Sequence, residues 1–107
     1  DKKIKMIAVE AGGKGIKENN KKCQHAARFQ TGKVGIVEGF KSYFLQNQDG
    51  QIKETHSISA GLDYSGIGPQ ISYLHDIGRI KTTYALDQDV LKAYSLLAQE
   101  EGIFPAL

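Results

Sequence analysis

RIKTTYALDQDVLKAYSLLAQEEG, residues 79–102, changes its period halfway along. Its first eight residues mix β-branched and apolar side chains without a helical stripe, which reads as a strand over 79–86. From Asp87 onward the period lengthens. Val90, Leu91, Tyr94, Leu97 and Ala98 fall at helical spacing on one face, Asp87 suits the N-cap, and Gly102 stands just past the last turn. A strand running straight into a helix is an α/β step, and the chain can be read outward from it.

Upstream, GPQISYLHDIG at 68–78 predicts a short helix. Pro69 fits its first position, Tyr73 and Leu74 share a buried face with Ile77, and Gly78 fits its stop. Before it, VGIVEGFKSYFLQNQDGQIKETHSIS at 34–59 holds Asp49-Gly50 between two strand-like runs. That pair predicts a hairpin with a type I′ turn, whose two central residues both need positive φ. IKMIAV at 4–9 reads as a buried strand, EAGGKG at 10–15 as a glycine turn at its C-terminal edge, and 16–33 as a long polar connection. The glycine turn has neither the dinucleotide nor the P-loop spacing. The predicted order is strand–long loop–hairpin–helix–strand–helix: an α/β segment over 1–107, without repeats or an internal boundary.

Composition narrows the partners. No apolar run is long enough to span a membrane, and no leader pattern opens the chain. A single cysteine, Cys23, excludes an internal disulfide and fits a cytoplasmic setting. Residues 1–41 carry ten Lys or Arg against four acids, and the remainder four against eight. The lysines are scattered, with only Phe29 and Phe40 as aromatics among them. Neither a stacking platform nor a docking helix emerges, so no nucleic acid is expected. Asp1 at one end and the apolar GIFPAL at the other read as cut ends.

His25, His56 and His75 are too scattered for a local metal motif and read as structural residues. Cys23 has lysines nearby but no base partner visible in the sequence, and reads as a bystander. The acid pairs Asp87/Asp89 and Glu100/Glu101 read as helix-end capping and solvation. Asp63 is different. In HSISAGLDYSGIGPQISYL, residues 56–74, it is the one carboxylate until Asp76, flanked by Gly61, Gly66 and Gly68. Two readings stand on these residues: an Asx turn in which the carboxylate braces its own loop's N–H groups, and a functional carboxylate on a loop with freedom to bend.

The ordered set AVEAGGKGI, QHAARF, GKVGIVEGFKSYFLQNQDGQI, HSISAGLDYSGIGP, YLHDIGR and EGIFPAL resembles the β chain of tryptophan synthase. HSISAGLDY followed by GxGP carries most of the specificity. The resemblance implies a fold type II enzyme using pyridoxal phosphate, which condenses indole with L-serine by β-replacement. It implies an α-chain partner and a β–β homodimer, and places this segment in the larger, C-terminal domain. The Schiff-base lysine and phosphate loop of such enzymes would lie outside it, so the isolated segment would be inactive. It implies that Asp63 contacts the substrate serine and favours a closed state by pairing with an arginine of a mobile domain. Backbone carbonyls of Leu62, Tyr64 and Gly66, with Ala26, would hold a monovalent cation. Glu38 would stand at the mouth of the indole tunnel.

The chain departs from the family's pattern at four places. Ser65 stands in place of proline, Glu38 of an aromatic or histidine, Ile71 of histidine, and Leu86 of a capping threonine. Two rival readings stay open: a segment of another fold type II lyase, and a non-catalytic α/β module that binds a partner.

Overall fold

The structure, a computed structural model, describes residues 3–17 and 23–107. Residues 18–22 of the connection, with Lys21 and Lys22, lie outside the described residues.

Two small sheets organise the chain. Strand β1 (Ile7–Gly13) pairs in parallel with β4 (Lys81–Leu86), from Ile7↔Lys81 to Ala11↔Ala85, with a register shift before Gly13↔Leu86. Strands β2 (Lys33–Val37) and β3 (Phe40–Phe44) form an antiparallel hairpin. Helix α1 (Arg28–Thr31) is a single turn before that hairpin, α2 (Pro69–Asp76) precedes β4, and α3 (Asp87–Glu101) follows it. A 3₁₀ turn at Ala60–Leu62 leads into Asp63. The α/β class and the strand-to-helix step at 86–87 stand as read, as do Pro69 at the head of α2 and left-handed Gly102 after α3.

Other expectations need correction. The first strand lies three residues downstream of the apolar run. Ile7 and Val9 are more than half exposed, and the buried half is Glu10–Gly13, the stretch expected to be a turn. Glycine permits this because β1 runs close to its neighbour. A Cβ on Gly12 would come within 2.6 Å of the Tyr84 ring and 2.8 Å of the Ala85 carbonyl oxygen.

The hairpin is also displaced. Its two-residue turn is Glu38-Gly39, with φ of 48° and 85°, so the double positive-φ requirement is met there. At Asp49-Gly50 only the glycine has positive φ, and a single bridge, Gln46↔Ile52, spans the turn. The Asn47 side chain supplements the short ladder of Asn47 N to Gln51 O and Lys53 N to Leu45 O: its Oδ1 accepts the amides of Asp49 and Gln51 at 3.0 and 2.9 Å.

Residues 23 and 25–28, expected in a polar loop, are core, with Gln24 exposed between them. Cys23, His25, Ala26, Ala27 and Arg28 are all buried, beside Phe44 and Leu45. Apart from Arg28 Nε, their buried side-chain polar atoms find hydrogen-bond partners, which lowers the cost of burying so polar a run. Helix α2 turns its faces opposite to expectation: Tyr73 and Ile77 are 62% and 55% exposed, while Ser72 is buried. The Ser72 hydroxyl meets that of Ser42 at 2.6 Å, so α2 docks on β3 through a polar contact. Asp87 is the first residue of α3 rather than its cap, and the N-cap position is Leu86, without a side-chain bond.

Candidate functional site

The site is built from β1, α1 and the Asp63 loop. Glu10 points inward from β1 and is only 3% exposed. Its Oε1 accepts the Arg28 amide at 2.7 Å and its Oε2 accepts the Phe29 amide at 3.0 Å. One carboxylate from a strand thus satisfies the first two free N–H groups of α1. The Arg28 Nε lies 3.2 Å from Glu10 Oε1. The contact is an ion pair without hydrogen-bond alignment, because Nε has no aligned acceptor. Burial pushes the Glu10 carboxyl up and the Arg28 guanidinium down from their ordinary values. Each is drawn partly back, Glu10 by the Phe29 and Arg28 contacts and Arg28 by the Glu10 charge.

The head of Arg28 extends to the acidic loop. Its Nη1 donates to the Tyr64 carbonyl at 2.8 Å and, more weakly, to the Leu62 carbonyl at 3.4 Å. These two carbonyls straddle Asp63. On the loop's other side the Leu45 amide donates to the Ser65 carbonyl at 2.8 Å, and the Ile67 amide to the Tyr43 carbonyl at 3.2 Å. Gly66 fits because the Phe44 ring lies against it: a Cβ there would sit 2.5 Å from a ring carbon. Gly61, Gly66 and Gly68 all keep negative φ, so the expected conformational freedom is not what they supply.

Asp63 itself is exposed, and its Oδ1 accepts the Thr55 hydroxyl at 2.7 Å. It reaches across to a neighbouring segment instead of bracing its own N–H groups as an Asx turn would. Leu62 and Tyr64 are 46% and 66% exposed, Ala26 is fully buried in a bridge with Ala11, and Glu38 is solvated at the hairpin tip. The structure therefore gathers Leu62, Asp63, Tyr64 and Gly66 on one loop, while Glu38 belongs to a different turn.

Sequence reasoning missed Arg28. The signal was present in HAARF, where one cation interrupts an otherwise apolar run; such a residue is buried only with partners. It also missed the partner of Cys23, whose Sγ lies 3.2 Å from His25 Nε2. His25 Nδ1 accepts the Ala27 amide at 3.0 Å. His56 Nε2 meets Asp87 Oδ2 at 2.8 Å, tying the segment before the loop to the start of α3. His75 stacks on Phe29 with ring centres 4.3 Å apart. Among the described residues no group of three or more His, Cys, Asp or Glu could hold a metal ion, and no helix is long and apolar enough to cross a membrane.

Beside the site, β1, residues 57–59, the start of α3 and Pro105–Leu107 enclose an apolar cleft of about 720 Å³. Val90, Tyr94 and Leu97 of α3 line it.

An α/β chain with a paired charge under a glycine-flanked acidic loop is the class these features define. No protein-family model matches the chain. Among curated proteins it is 50% identical over 105 residues to the tryptophan synthase beta chain 1 of Chlamydia caviae, covering 98% of this chain and 24% of that protein. It is 50% identical over 107 residues to the tryptophan synthase beta chain of Allorhizobium ampelinum, covering 100% of this chain and 25% of that protein. The tryptophan synthase beta chain 1 of Methanosarcina acetivorans is 48% identical over 107 residues, with 27% of its length covered. Along its whole length the chain is thus similar to one segment of these tryptophan synthase beta chains, and it spans about a quarter of the curated relatives it matches.

Proposed function

We propose that this chain is a working segment of a pyridoxal phosphate-dependent tryptophan synthase β chain, a cytoplasmic lyase that condenses indole with L-serine. In this reading it forms part of the larger domain of a fold type II enzyme, which pairs with an α chain and with a second β chain. The support is the half-identity to proteins of that name over the full segment. The described residues do not themselves fit the cofactor. Arg28, the buried cation, is engaged by Glu10 and two carbonyls, and no lysine lines the apolar cleft. In this reading the isolated segment is inactive.

Asp63 is the residue through which this segment acts. It contacts the hydroxyl of the substrate serine and pairs with an arginine of the mobile domain, so that closure excludes water. The observation that carries this role is the exposed carboxylate: its bond goes to the Thr55 hydroxyl, and its own loop is held by other groups. The loop is held by Arg28 and by backbone bonds to 43–45, which leaves the Asp63 charge available. Carbonyls of Leu62, Tyr64, Gly66 and Ala26 are the oxygens that match the monovalent-cation donors implied by the resemblance, with Leu62 and Tyr64 engaged by Arg28 in this chain, and Glu38 is the candidate residue at the tunnel mouth.

Asp63→Asn in the complete protein is the test. Stability should change by no more than about 0.5 kcal/mol, as at an ordinary exposed position. Turnover should fall by roughly 30- to 1000-fold, the equivalent of about 2–4 kcal/mol for an ion pair in a dry site. A destabilised variant with normal turnover would return Asp63 to the role of a loop brace.

A further inference from the structure

The carbonyl set assigned to a monovalent cation is already serving a cation that belongs to the protein. We propose that Arg28 is the resident positive charge of the Asp63 loop, a positioning residue that takes the place of an added ion on the Leu62 and Tyr64 carbonyls. This deepens the reading of Asp63 as a closure residue and rests on it for its functional meaning.

Three observations converge. The same nitrogen, Nη1, serves both carbonyls, and the residue between them is Asp63. The arginine is anchored at both ends: Glu10 binds its amide at 2.7 Å and its Nε at 3.2 Å, and both side chains are buried. A side chain fixed in this way presents its charge without a large entropic cost of ordering at the loop. The loop's far edge is held against β3 by two backbone hydrogen bonds and by Phe44 on Gly66. Arg28 therefore closes a clamp whose free point is the Asp63 side chain.

An alkali ion on these oxygens would sit beside a guanidinium at hydrogen-bonding range, and like charges so close repel strongly away from bulk water. Ala26, a further candidate ligand, lies only two residues from Arg28 in the same buried run. The arginine and the ion are alternatives on one set of donors. In this chain the loop is ordered by Arg28, and its order does not depend on which alkali salt is present.

The test compares the complete wild-type protein with a Glu10→Gln/Arg28→Met double variant, which removes both buried charges together. Rubidium is the probe, with tetramethylammonium as a cation too large for the site. In the wild type, no rubidium anomalous peak should appear on the Leu62 and Tyr64 oxygens, and Tm should be equal in the two chlorides. In the double variant a peak should appear there, and Tm should rise by about 2–4 °C in rubidium chloride. A wild-type peak on those oxygens overturns the proposal, as does a folded double variant with neither peak nor Tm response. Should the double variant not fold, Arg28→Lys supplies the second measurement, because its shorter head keeps the charge but loses the grip. Hydrogen exchange of the Leu62–Tyr64 amides should then speed up about tenfold or more, and unchanged exchange overturns the proposal. These readouts are ion occupancy, melting and exchange, so an Asp63→Asn protein with normal turnover would remove the closure reading and leave them standing.

Discussion

Around Arg28, polar side chains are buried and matched; along α3, apolar side chains stand half in solvent. The first region holds Glu10, His25, Arg28, Ser42 and Ser72, each below 9% exposed and each with a named partner. The second is a fifteen-residue helix with no buried residue at all. Leu91 and Leu96 are 42% and 59% exposed, and the stripe of Val90, Tyr94 and Leu97 borders an open apolar cleft. A polar cluster is costly unless its members are satisfied locally, so its partners must come from nearby segments; here only the Arg28 Nε, which faces Glu10 without hydrogen-bond alignment, falls short. An apolar stripe needs only cover, which can come from any surface. The contrast separates polar interactions satisfied among the described residues from an apolar stripe that lacks cover among them.

The largest expected effect tests the completed half. Arg28→Ala should cost about 3–5 kcal/mol in the complete protein, because it leaves the Glu10 carboxylate buried without its counter-charge. Chemical denaturation measures it. A loss under about 1 kcal/mol would mean that water reaches Glu10 and that the pair is an ordinary surface contact. The α3 half comes next. Leu97→Ala in the complete protein should cost about 2–4 kcal/mol, the value for a covered leucine. A near-zero cost would show that the cleft stays open in the complete protein, and the contrast would then lie between core and surface.

Gly66→Ala should be milder, at about 1–3 kcal/mol, since the added methyl meets a ring that can tilt only within a packed site. It should also disturb Asp63, because the Phe44 contact sets the loop's far edge. Thermal melts give the first quantity and turnover the second. Loss of turnover without loss of Tm would locate the importance of the loop in its position and not in its packing.

How much of this was legible in the sequence follows the same division. The α3 helix and its Gly102 stop are legible from side chains three and four residues apart, although Leu91 of the expected stripe is exposed and Asp87 is not the cap. The glycine-rich strand half, Glu10–Gly13, was misread because its strand character comes from β4 lying alongside and not from its own propensities. The hairpin turn was misplaced since Glu38-Gly39 is a poorer local signal than Asp49-Gly50. The ladder from Lys33↔Phe44 to Val37↔Phe40 imposes its geometry on Glu38, a non-glycine residue at positive φ. The site was half legible. Asp63 stood out by isolation, but the residue that holds its loop is 34 to 36 positions away in sequence from the carbonyls it grips. No local period encodes such a contact.

The smallest effect sits on the rim between the two regions, where α2 meets the hairpin. Tyr43 donates its hydroxyl to Asp76 Oδ1 at 2.8 Å in an exposed contact. The bond raises the Tyr43 phenol above its ordinary 10.0 and, with a smaller contribution from His75, lowers the Asp76 carboxyl below its ordinary 3.8. The signs follow from linkage. Stability supplied through Asp76 is present above pH 3.8 and lost as pH falls through the depressed folded value. Stability supplied through Tyr43 is present below pH 10.0 and lost as pH rises through the raised one. Tyr43→Phe removes both ends of the window at once. By NMR titration the Asp76 carboxyl should move up toward its ordinary value while the His75 contact at 3.3 Å keeps part of the depression. The acid and alkaline limbs of the stability profile should both flatten, with little change near neutrality. If instead Asp76 titrates identically in the variant, the hydroxyl is bound to water in solution, and α2 is held to the hairpin by the buried Ser42–Ser72 contact and the packing of His75 on the residue 43 ring.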